Sequence, residues 1–277
     1  MPRGVFGAFG VFYGANVYRA IGSANLLLIL AYFPAKPPTP PSMSQLQSKT
    51  PGGRHPALGG MWDVLGNQNY LLIAVAGGTI NGVFNSWSGS FDQILQTVSP
   101  RWDQSMCGWL GFATTVAFIV GGLVVGPVAD TAPWNRRMHG LMLTLAALTA
   151  ALMALFTMAM PTTFAAEPLV DLGFEVVFGL IVASGMSLGA CLPLVYEIGA
   201  EVTYPAPEST SANIVVLVLN LASFVYLFIT PMLLHAKVLN IVITGCAVAA
   251  VLMFGCADVK YLRRAHEDLD LSAVVSS

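Results

Sequence analysis

Long apolar runs fill this chain, parted by segments rich in proline, glycine, serine and charge. Runs at about 10–33, 69–96, 106–128, 138–160, 172–196, 211–234 and 237–257 each approach or exceed the roughly twenty residues that an α-helix needs to cross bilayer hydrocarbon. The pattern predicts seven membrane spans and an all-α, polytopic helical bundle. It also predicts an order of parts: a single transmembrane helix over 1–33, a Pro/Ser-rich linker over 34–60, a six-helix bundle over 61–257 and a tail over 258–277. The first run is too long for the apolar core of a signal peptide, and Gly10 with Gly14 gives it a small-x-x-x-small spacing. Between the runs at 172–196 and 211–234 lies E-I-G-A-E-V-T-Y-P-A-P-E-S-T-S-A-N, Glu197 to Asn213. Pro205 and Pro207 forbid a continuous helix there and force an extended turn. Glu208, Ser209, Thr210 and Ser211 then suit the start of the next helix, where unpaired N–H groups and the dipole favour carboxylates and hydroxyls.

Composition sets the solvent. Hydrophobic residues make up 56% of the chain and charged ones 9%, against roughly 25% charged in soluble domains, so lipid surrounds most of it. A formal net charge of -2 carried by so few charges argues against a nucleic-acid footprint, which needs clustered Lys and Arg. Cys107, Cys191, Cys246 and Cys256 fall in apolar runs with no C-x-x-C pair, and read as small buried hydrophobes without disulfide or metal. With no H-E-x-x-H motif and no Walker loop, neither an enzyme nor a cofactor is expected. If the runs alternate in direction, one face holds Lys36, Lys49, Arg54, Arg136, Arg137, Lys260, Arg263 and Arg264, and the other Arg3, Arg101 and Lys237. That excess places the linker, the Glu197 connector and the tail in the cytoplasm.

Polar groups within the spans are the candidates for function, because hydrocarbon makes them costly. The run G-T-I-N-G-V-F-N-S-W-S-G-S-F-D-Q sets Asn81, Asn85 and Ser88 four and three residues apart, on one helix face, and Asp92 extends the stripe by a turn. Such a stripe suits a wet pocket, or equally hydrogen bonds that hold the bundle together. Trp87 lies close by and could stack on a ring or cation. Asn220, in V-L-V-L-N-L-A-S-F-V-Y, is the other amide at mid-span, able both to donate and to accept. Arg19 in the first run must face protein or water. The four histidines, His55, His139, His235 and His266, fall in loops or at helix ends, so any proton coupling falls to Asp92 first and Glu175 second, although Glu175 also reads as a solvated interfacial carboxylate.

Two blocks carry a resemblance to a known family. E-x-T-Y-P-x-P-E-x-T-S after L-P-L-x-x-E, and L-A-Y-F-P-A-K-P-P-T-P-P-S at Leu30 to Ser42, resemble solute carrier family 49, a family of major facilitator transporters. The resemblance implies the C-terminal half of a twelve-span fold plus one extra helix, spans six to twelve, with the first five spans outside this sequence. It implies transport of a small organic solute, choline-like or pyridoxine-like, at the lysosomal or plasma membrane, and a second chain to supply the other half if the protein is to transport. A fragment that only binds or modulates a full-length transporter is the other implied reading. Asn85 falls where the choline-transporting relatives carry a pocket aromatic, and Asn220 where they carry a pocket glutamine. The segment G-P-V-A-D-T-A-P-W-N-R-R resembles the Gly-x-x-x-Asp and basic loop of major facilitators; Gly126 would allow close helix approach, and Arg136 and Arg137 would latch to Asp130 and to Glu197, Glu201 and Glu208.

Overall fold

The computed structural model describes residues 19–32, 56–96, 102–131, 133–134, 137–161, 167–231 and 236–265. The glycine pair at 10 and 14, most of the linker, Arg136 and the end of the tail lie outside them. The chain divides into two units, Met1–Gly52 and Gly53–Ser277. Of the first, the described part is one exposed apolar helix, α1 (Arg19–Tyr32).

The regular elements among the second unit's described residues are helices: α2 (Pro56–Gly66), α3 (Gln68–Ser88), α4 (Phe91–Leu95), α5 (Gln104–Asp130), α6 (Met138–Met158), α7 (Phe174–Thr203), α8 (Glu208–Ile229) and α9 (Ala236–Cys256). Local chemistry sets the ends. The Asn67 side chain accepts from the N–H of Tyr70 at 3.1 Å and starts α3, and Asp103 does the same for α5 through Met106 at 2.8 Å. At the other end of α7, Tyr204 precedes Pro205 and is driven to extended backbone, φ -52° and ψ 136°, so the helix stops at Thr203.

Among the described residues five helices, α5 to α8 and Val238–Cys256 of α9, are long and apolar enough to cross a membrane. α3 has the length, about 32 Å, but its polar residues thin the hydrocarbon character. The run at 69–96 is not one helix: Gly89 and Ser90 form a turn, and Asp92 sits on the separate α4, off the Asn81 stripe. The apolar run at 172–196 gives a 30-residue helix that continues through Glu197 and Glu201, so the connector shrinks to Tyr204–Pro207. A helix needs apolar residues only where lipid touches it, and α7 extends past that zone.

α7 packs on α3, α5, α6 and α8; α3 packs on α7, α8 and α9; and α6 meets α9. Exchanging α3, α5, α6 for α7, α8, α9 maps these contacts onto one another except α7–α8, whose counterpart α3–α5 is not among them, a pattern close to that of two three-helix repeats. Glycine makes the matching approaches possible. A Cβ on Gly82 would strike the Leu219 carbonyl oxygen where α3 meets α8, and one on Gly189 would strike that of Phe118 where α7 meets α5. Gly126, expected to permit such an approach, is exposed with nothing near its missing side chain.

Candidate functional site

The α3–α8 seam is fixed by an exchange of hydroxyls and carbonyls. Ser86 Oγ donates to the Ser223 carbonyl at 3.3 Å, and Ser223 Oγ to that of Gly82 at 2.9 Å. The exchange puts Ser223 between Gly82 and Ser86, so Asn220, three residues earlier, stands about one turn away from Asn85 along the neighbouring helix. Both amides are exposed on the outer surface of the bundle. Asn220 Nδ2 donates to Val216 O at 2.8 Å in its own helix, which leaves its Oδ1 facing outward. Leu217, Leu221, Phe224 and Phe228 surround it with apolar exposure, so the amides are polar points on a greasy face.

Asn81 and Trp87 go the other way. Asn81 is 1% exposed; its Nδ2 donates to Gly77 O at 2.8 Å, and its Oδ1 is buried without a hydrogen-bond partner. Trp87 is wholly buried, edge-on to Phe91 and Phe156 with ring centroids 4.8 and 5.3 Å away. Its Nε1 donates to Asn240 Oδ1 at 3.1 Å. The sequence-expected pocket group therefore divides into an outward pair, Asn85 and Asn220, and an inward pair, Asn81 and Trp87. Ser88, on the same stripe, is half-buried and donates to the Asn85 carbonyl at 2.8 Å.

The two coupling candidates share one end of the bundle. Asp92 is half-buried in the first turn of α4, and Glu175 is exposed in the first turn of α7. About 39 Å of α7 separates Glu175 from Glu201 at the other end. That second end gathers Asp130, Arg137, Glu197, Glu201 and Glu208. Asp130 and Arg137 are exposed, and Arg136 lies outside the described residues. The glutamates are paired with residues that sequence reading had counted only as topogenic charge, Arg263 and Arg264 after α9. Arg263 Nη2 donates to Glu197 Oε1 and Nη1 to Glu208 Oε1, the latter at 2.9 Å. Its Nε lies 3.3 Å from Glu201 Oε1, near enough for charge attraction but not aligned as a hydrogen bond. Arg264 Nε lies 3.4 Å from the same oxygen, and its backbone N–H donates to Glu201 Oε2 at 3.3 Å. Burial alone would lower the Arg263 pKa, but the charges of Glu197 and Glu201 and the hydrogen bonds to Glu197 and Glu208 outweigh it and hold the guanidinium above its ordinary value. The available signal was the Arg-Arg pair following the last apolar run, combined with two glutamates spaced i, i+4.

Around this cluster Tyr70 Oη donates to the Ser211 carbonyl at 2.5 Å and Asn67 Nδ2 to that of Val202 at 3.1 Å, tying the start of α3 to the α7–α8 turn. No group of His, Cys, Asp and Glu able to hold a metal occurs among the described residues. The segment Gly185 to Gly189 spells G-x-S-x-G, the pattern of a hydrolase nucleophile turn, but it lies inside α7. Ser187 Oγ donates to Leu145 O at 2.8 Å and packs a helix pair.

No family model matches the sequence. The chain is 29% identical over 249 residues to a solute carrier family 49 member 4 homolog of Xenopus tropicalis, covering 90% of this chain and 51% of that protein. It is 24% identical over 250 residues to an uncharacterized MFS-type transporter of Caenorhabditis elegans, covering 88% and 39%. It is 26% identical over 200 residues to a choline/ethanolamine transporter of Danio rerio, covering 72% and 40%. The chain spans about half the length of the first of these relatives, and all three are named as transporters, not enzymes. The resemblance carried by the two motif blocks thus extends over nine-tenths of the sequence, and this polytopic helical membrane chain is similar to the transporters of solute carrier family 49.

Proposed function

We propose that this chain forms one half of a secondary transporter for a small organic solute, with Asn85 and Asn220 contributing to the substrate wall. The observation that carries the reading is their placement: two amides about one turn apart on adjacent helices, exposed on an apolar surface where lipid alone would not favour them. Hydroxylated amines, choline and ethanolamine, and pyridoxine-like compounds are the candidate solutes, the first two because relatives carry those names. An outward-facing amide oxygen accepts from a hydroxyl or ammonium donor, and an amide N–H donates to a hydroxyl. Alternating access would move this half against another around a site near mid-membrane, with Asp92 and Glu175 at one end available for coupling and the Glu197, Glu201 and Glu208 end for gating. A lysosomal or plasma-membrane address follows from the family resemblance.

The second reading is a membrane module that binds or modulates a longer transporter without transporting by itself. The exposed apolar face of α8, with Leu217, Leu221, Phe224 and Phe228, offers such a partner a surface to pack on and favours it. Purified chain in lipid vesicles separates the two. Saturable binding of labelled ethanolamine or choline, displaced by pyridoxine and weakened about ten-fold by Asn85→Ala or Asn220→Ala, supports the substrate wall. Uptake when the chain is reconstituted together with the first half of a full-length relative supports the first reading; binding without uptake in that pairing supports the second. No saturable binding of any of these solutes overturns the wall.

A further inference from the structure

We infer that residues 257–265, after the last helix, form a charge-held strap that closes the corner between α7 and α8, and that Glu201 is the group that keeps it shut. Arg263 reaches both sides of the turn at Tyr204–Pro207: Glu197 and Glu201 stand on α7, and Glu208 opens α8. A single guanidinium thus sets the approach of two helices. Lysine could not do the same, because its single ammonium lacks the planar fork that meets several carboxylates.

Glu201 is the inner member. Its side chain has no solvent exposure, against 41% for Glu197 and 60% for Glu208. Each of its described charged partners comes from the strap, through the side chains of Arg263 and Arg264, and the Arg264 backbone adds a hydrogen bond. Lifting the strap would strand a buried carboxylate, a costly state, so strap and carboxylate depend on each other. The outer pairs differ: they are wet enough to be screened by salt and weak enough to break singly.

Other contacts seat the strap across several helix ends. The Asp258 N–H donates to Asn69 Oδ1 at 3.0 Å on α3, the His139 N–H of α6 donates to Tyr261 Oη at 3.1 Å, and Arg264 Nη2 lies 3.6 Å from Met138 Sδ. The remaining charged neighbours, Lys260 and Asp258, pair with each other at 3.9 Å on the exposed side. Opening the strap frees α8, which carries Asn220, to change its angle to α7. This inference concerns a conformational lock and does not require that the chain transport anything.

The test is a distance. Nitroxides at Ser209→Cys and Leu262→Cys, both exposed, would be placed in vesicle-reconstituted full chain with Cys246 and Cys256 replaced by alanine. The parent should give one narrow distribution. Arg263→Gln and Glu201→Gln should each raise a longer-distance population by about five-fold or more, and the double variant should fall short of the product of the two, because they share one contact. Glu197→Gln, at a partly exposed site that puts folding at little risk, should leave the strap closed at low salt and open it at high salt. An unchanged distribution in Glu201→Gln and in Glu197→Gln at high salt overturns the lock, as do Arg263 and Glu201 effects that multiply independently.

Discussion

Trp87 and Asn85 are two residues apart and have opposite fates, one sealed among phenylalanines and one exposed. Burying an indole requires an acceptor for its N–H, and Asn240 provides it from α9. Asn240→Leu removes that acceptor and should destabilise the bundle by about 1–3 kcal/mol, read as a fall in melting temperature in detergent. The glutamates differ in the same way. Glu201→Ala leaves Arg263 and Arg264 partly buried without their central counter-charge and should cost about 3 kcal/mol, whereas Glu208→Ala, at an exposed site, should cost under about 1 kcal/mol by the same measurement. Arg263 adds no pH dependence at working pH. Its folded pKa is raised, so its stabilisation is fully present below the ordinary arginine value and is lost only in strong alkali, above the folded value. A melting temperature that falls between pH 6 and pH 9 in wild type but not in Arg263→Gln would contradict that sign. At this scale sequence reading found the polar residues but not their directions. Asn81 and Asn85, four apart, differ by about 40° around α3, enough to bury one and expose the other, and only the neighbours decide which.

Among the elements, the glycines that matter are the ones facing a carbonyl. Gly82→Ala and Gly189→Ala each push a methyl into backbone, where no side chain can yield, and should cost about 1–3 kcal/mol apiece. Gly126→Ala meets nothing and gains helix propensity, so it should leave the melting temperature unchanged or raise it. Equal losses at Gly82 and Gly189 are the expectation from the repeat; a loss at one alone would count against equivalent seams. Helix existence was legible because apolar runs of this length have few alternatives in lipid, and a break at Pro205 and Pro207 was legible because prolines act locally. The break at Gly89–Ser90 was not, since glycines are common in membrane helices and hydrophobicity continues across it. Nor was the extension of α7 to Thr203: its last two turns are held by ion pairs with residues more than fifty positions away, which no local period records.

On the scale of the molecule, two ends carry different chemistry. Asp92 and Glu175 mark one, and the glutamate and arginine cluster the other. The excess of Lys and Arg predicts that the cluster end faces the cytoplasm. A membrane-impermeant thiol reagent should then label Glu175→Cys and spare Ser209→Cys and Leu262→Cys on sealed cells if the chain is at the plasma membrane, and on sealed organelles, whose outer face is cytoplasmic, label Ser209→Cys and Leu262→Cys and spare Glu175→Cys; the reverse of either pattern would invert the assignment. The family resemblance was legible in two short blocks because proline-punctuated turns tolerate few alternatives. The arginine cluster was hidden because its parts are scattered along the chain. Its position bears on how the protein is handled at the bench. Glu201 relies on both the side chain and the main chain of residue 264, so a stop codon or fusion junction at or before that position would remove them; purification handles and fluorescent reporters belong after residue 265.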